Sequence, residues 1–81
     1  MHELHRSWGT RIKNRRQALS MTQVSFATLV GITQSTVSKI ERGDHCPSDA
    51  MKWRIAGVLR LTVEELFPYP AVVPPFPEKV A

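Results

Sequence analysis

The side chains here with obvious means for metal binding or nucleophilic catalysis are His2, His5, His45 and Cys46. Their placement suits neither role. His45 and Cys46 are adjacent, which fits neither a Cys/His catalytic pair nor a zinc site of standard spacing. His2 and His5 stand at a chain end expected to fray. The sequence has no P-loop, dinucleotide fingerprint or nucleophile elbow. It reads as a non-enzyme, with no cofactor and no metal.

The charge pattern offers a different chemistry. The net charge is +4. Residues 1–43 carry seven basic residues (Arg6, Arg11, Lys13, Arg15, Arg16, Lys39 and Arg42) against two acids, Glu3 and Glu41, which makes that half +5 and the remainder −1. A basic half beside a near-neutral one suits a polyanion on one side, although a solvated helix face gives the same count. At 81 residues the chain makes one small domain. A single cysteine excludes an internal disulfide framework and fits a reducing cytoplasm. No apolar run approaches the roughly 20 residues of a membrane span, and MHELHRSW lacks the core of a signal peptide. A soluble, cytoplasmic protein is expected.

The elements that would position a binding surface are short helices. Leu4, Trp8, Ile12, Arg15/Arg16 and Leu19 recur at helical spacing, with the start either at Ser7 or near Glu3. Gly9, inside this segment, costs a helix about 1 kcal/mol. Thr22 caps a second helix over 23–30, stapled by Met21 and Phe26 and stopped by Gly31. Thr33 caps a third over 34–42, with Ile32 and Val37 as the staple and Gly43 as the stop. Ser48 opens a fourth over 49–59. Thr62 and Glu65 form a capping box for a short fifth helix ending near Phe67. Five helices without a strand pattern predict an all-α domain over 1–67. Five of the six prolines fall in the last segment, so 68–81 is expected to be an extended Pro-rich tail.

The segment QVSFATLVGITQSTVSKIER, residues 23–42, resembles the helix-turn-helix of the phage-repressor/Cro-like (XRE-type) family. Ala27 is small where two helices must cross, Gly31 accepts the turn, and Phe26, Val30, Ile32, Val37 and Ile40 point inward. Glu41-Arg42-Gly43, then Pro47-Ser48 and the helix 4 and helix 5 patterns, extend the likeness over about residues 8–67. The resemblance implies a compact five-helix lambda-repressor-like DNA-binding domain whose third helix enters the major groove. It implies base reading by Gln34, Ser35 and Lys39: glutamine pairs bidentately with adenine, lysine donates to guanine, and serine is permissive. Phosphate binding falls to Gln23, Thr33, Ser38 and Arg42, with Arg11, Lys13 and Arg15 as further candidates. Arg16 and Glu41 match a family ion pair between helices 1 and 3.

Helix 4 departs from the pattern. Asp49 and Lys52 stand where leucines are common, and Met51, Trp53, Ile55, Val58 and Leu59 are expected to take over the packing. Arg60 stands where glycine is usual. The expected function is transcriptional regulation at a double-stranded DNA operator, by a repressor, a Cro-like protein or a regulator such as a restriction–modification controller. A homodimer would read two half-sites. The alternative is an antitoxin with a small protein partner held by the tail, which also controls its own promoter.

Overall fold

The computed structural model describes residues 3–68, and the expected tail lies outside the described residues from 69 onward. Five helices follow in order: α1 (Glu3–Ala18), α2 (Gln23–Val30), α3 (Gln34–Arg42), α4 (Asp49–Leu59) and α5 (Val63–Leu66). No strand occurs among the described residues. Each of the last four helices begins at a hydroxyl cap. Thr22, Thr33, Ser48 and Thr62 accept hydrogen bonds from the backbone N–H groups of Ser25, Thr36, Met51 and Glu65. Each such cap contributes about 1 kcal/mol. Gly31 and Gly43 close α2 and α3 in the left-handed conformation. Arg60 closes α4 the same way at φ 59°, without glycine's freedom.

The core gathers Trp8 and Ile12 of α1, Phe26, Ala27 and Val30 of α2, and Val37 and Ile40 of α3. It is completed by Ile55, Ala56 and Leu59 of α4 and by Val63, Leu66 and Phe67 around α5. Helix α1 is the spine, with α3 on one flank and α5 on the other. Gly9 is buried against the carbonyls of Ile40 and Glu41, where a Cβ would overlap main chain. On the opposite flank Arg15 Nε donates to Leu59 O at 2.9 Å and Arg11 Nη1 donates to Glu65 O at 3.1 Å. These two bonds satisfy carbonyls at the ends of α4 and α5, which helices otherwise leave without partners.

Helix α4 corrects the expected packing. Ile55 and Leu59 are buried as expected, but Met51, Trp53 and Val58 only half enter the core. Lys52 itself takes the space, with 4% of its surface exposed. Its aliphatic stem is apolar enough to pack, and its ammonium lies 4.3 Å from the Trp8 ring centroid and 5.6 Å from that of Phe67. Asp49 Oδ1 stands 3.7 Å from the same ammonium. Trp8 and Phe67 meet edge to face at 5.4 Å. Thus a cation occupies a leucine position because two aromatic faces and a carboxylate receive it.

Candidate nucleic-acid interface

Helix α3 divides sharply between an inner and an outer face. Val37, Ile40 and Glu41 are buried. Gln34, Ser35, Lys39 and Arg42 are exposed and Ser38 is half-buried. At 100° per residue these five side chains fall within an arc of about 140°. Sequence spacing therefore brought all the expected readers, and two of the expected phosphate contacts, onto one outward face. The side chains of Ser35 and Lys39 make no hydrogen bond or ion pair among the described residues, so their polar groups are available to a ligand.

The inner face fixes the pose of this helix through a chain of polar contacts. Arg16 of α1 grips Glu41 of α3 bidentately: Nε donates to Oε2 at 2.7 Å and Nη2 to Oε1 at 3.1 Å. Arg16 Nη1 also donates to Met21 O at 2.7 Å, which ties the turn before α2 to the same guanidinium. Only 8% and 4% of the two side chains are exposed, so both charges are withdrawn from water and satisfied by each other. Gln23 extends the chain outward. Its Nε2 donates to Glu41 Oε1 at 3.0 Å, and its Oε1 accepts from Gln34 Nε2 at 3.4 Å. The first residue of α2 thereby connects a buried ion pair to the first residue of α3.

This placement alters what Gln23 can offer. Both ends of its amide are engaged within the protein. Ser25 N–H is taken by the Thr22 cap, but the backbone N–H groups of Gln23 and Val24 remain, and this positive helix end is suited to an anion. Thr33 is similarly occupied. Its Oγ1 accepts from Thr36 N at 3.1 Å and shares a hydrogen bond with Thr36 Oγ1 at 2.9 Å. Ser38 Oγ accepts from Arg42 Nη1 at 2.9 Å, and Arg42 Nε donates to Asp44 Oδ2 at 3.1 Å. Arg11 and Arg15, further phosphate candidates, are committed to α4 and α5 on the flank of α1 away from α3. Asp49, an acid at the start of α4, has its charge directed to Lys52.

Sequence reasoning missed three features here: the Gln23 bridge, the burial of Lys52, and the contact of Asp44 with Arg42. Gly9 was the available signal for the tight α1–α3 packing, because a glycine inside a helix often marks a close approach. No comparable signal existed for Lys52, whose burial depends on aromatic rings far away in sequence.

A buried helix pair that presents a short polar helix outward is the geometry of a helix-turn-helix. The helix-turn-helix family matches residues 12–66, and the chain belongs to that family. It is 41% identical over 61 residues to the uncharacterized HTH-type transcriptional regulator YazB of Bacillus subtilis, covering 75% of this chain and 88% of that protein. It is 32% identical over 56 residues to the cryptic phage CTXphi transcriptional repressor RstR of Vibrio cholerae, covering 69% of this chain and 50% of RstR. In three dimensions it resembles the restriction-modification controller protein C.AhdI of Aeromonas hydrophila. The TM-score is 0.74 at 30% identity, over 78% of this chain and 96% of C.AhdI.

Proposed function

We propose that this protein is a sequence-specific, double-stranded DNA-binding transcriptional regulator that acts by binding, in the cytoplasm where its DNA lies. The observation that carries this reading is the outward face of α3, held rigid from behind by Arg16, Glu41 and Gln23. Its relatives are transcriptional regulators, one of them a phage repressor, which supports repression as the output. The toxin-neutralising alternative has no support among these relatives.

In the proposed complex α3 lies in the major groove. Gln34, Ser35 and Lys39 contact base edges, each good bidentate pair discriminating by about 1–3 kcal/mol. The N-terminal turn of α2 at Gln23, together with Thr33, Ser38 and Arg42, receives phosphates and sets the register. A homodimer would place two α3 helices about one helical turn apart, 34–36 Å, on a palindromic operator.

The test is selection of bound duplexes from a random pool, followed by titration of the selected site. We expect a defined site of two half-sites. Lys39→Ala should weaken it and relax one base position, and binding should fall linearly in log–log terms with salt. Normal binding of the selected site by both Gln34→Ala and Lys39→Ala would refute the reading. A tightly bound small protein recovered in a pull-down, beside a selected DNA site, would favour the antitoxin alternative.

A further inference from the structure

Asp44 is paired with Arg42, and the proposed DNA contacts give this acid no role. Helix α3 ends in a tight reversal: Gly43 N donates to Ile40 O at 3.0 Å and Asp44 N donates to Lys39 O at 2.8 Å. This double closure fixes the backbone of the residue that follows the glycine. Gly43 is wedged further, because a Cβ there would meet the Arg6 backbone at 2.8 Å. Asp44 is therefore carried back over the last turn of α3 by rigid main chain. Its carboxylate takes Arg42 Nε at 3.1 Å while Ser38 Oγ takes Nη1 at 2.9 Å. All three residues lie on or beside the outward face of α3, and the ion pair is open to water, at 59% and 41% side-chain exposure.

We propose that Asp44 is an internal anion that occupies Arg42 in the free protein, competes with the DNA backbone for it, and so holds down affinity for DNA of any sequence. This rests on the reading of Arg42 as a phosphate contact. A guanidinium binds carboxylate and phosphate through the same donors, so an anion already in place must yield or remain as a repelling neighbour. Relative magnitudes set the sign. An exposed ion pair is worth between nothing and about fivefold, so any benefit from orienting Arg42 is small. A carboxylate about 5 Å from a phosphate opposes binding about fourfold in bulk water, and more steeply once DNA displaces that water. In bulk water the two are of similar size, and the displacement of that water by DNA tips the balance to repulsion. Because phosphates carry no sequence information, the effect falls equally on operator and unrelated DNA.

The test is a double-mutant cycle on the full chain, with Asp44→Asn, Arg42→Ala and the combination, titrated against the selected operator and a scrambled duplex at low salt. Both positions are exposed, and thermal unfolding of each variant checks that the fold is intact. We expect Asp44→Asn to tighten binding to both duplexes by about three- to ten-fold, leaving their ratio unchanged. The part of that gain that comes from freeing Arg42 should disappear in the Arg42→Ala background, while the part from direct repulsion of phosphate remains. An unchanged or weaker affinity for Asp44→Asn would overturn the proposal, as would an equal gain in both backgrounds, since Asp44 would then act only as a nearby charge. If Arg42→Ala alone binds normally, the phosphate reading of Arg42 fails, and the role of Asp44 fails with it.

Discussion

Gly9 of α1 rests directly on the main-chain carbonyl of Glu41, so α1 and the candidate recognition helix meet backbone to backbone. The neighbouring carbonyl, of Ile40, is also too close to admit a Cβ, at 2.5 Å from its ideal position. That contact brings Arg16, two turns along α1, within bonding distance of the Glu41 side chain. The glycine that weakens α1 locally is what allows the two helices to lie this close.

Gly9→Ala tests this directly. A methyl at an exposed helical glycine stabilises by about 1 kcal/mol. Here we expect the reverse, a loss of about 1–3 kcal/mol from overpacking, with a matching fall in the thermal midpoint. DNA affinity should fall as well at temperatures where the variant remains folded, because α3 must shift. An increase in the midpoint would contradict the close approach.

The Arg16–Glu41 pair predicts a split between stability and binding. Arg16→Ala or Glu41→Ala alone leaves one charge stranded and should cost about 3–5 kcal/mol in chemical denaturation. The double replacement Arg16→Met with Glu41→Leu strands no charge and should recover most of that loss. It nevertheless removes the acceptor of Gln23 Nε2. DNA affinity should therefore remain reduced in the refolded double variant. Full recovery of both properties would show that the polar chain to Gln34 has no part in binding.

Helix α4 and its C-cap hold two positions that can be improved. Nothing lies within 4 Å of a Cβ built on Gly57, and Arg60 holds φ 59° without being glycine. Gly57→Ala should raise stability by about 0.5–1 kcal/mol, and Arg60→Gly by a similar amount through relief of the left-handed backbone. Arg60 N donates to Gly57 O, so the two gains are coupled, and calorimetry of the single and double variants would measure that coupling.

Glu65 gives a pH dependence. The Thr62 backbone N–H donates to its carboxylate at 2.9 Å, and this bond, helped by the Thr62 side chain and the charge of Arg15, holds its pKa below the ordinary glutamate value. A carboxyl depressed in the folded state contributes stability above its unfolded pKa and loses it as the pH falls through the folded one. Wild type should exceed Glu65→Gln in thermal midpoint near neutral pH and converge with it in acid. Curves that stay parallel throughout would show that the charged form of the capping box adds nothing.

The sequence by itself determined the helices and most of the binding face. Hydroxyl caps at Thr22, Thr33, Ser48 and Thr62, glycine stops at 31 and 43, and the spacing of apolar residues are local signals. The helix boundaries follow from them because capping and turn geometry involve residues only a few positions apart. The outward grouping of Gln34, Ser35, Ser38, Lys39 and Arg42 followed from the same periodicity. The tertiary structure decided what those side chains are attached to. It gave Gln23 to Glu41, Arg11 and Arg15 to the ends of α4 and α5, and Lys52 to the rings of Trp8 and Phe67. These assignments join residues from 15 to 54 positions apart, where the partner is set by how helices pack. A flexible polar side chain has no periodic signature that reveals which distant group will satisfy it.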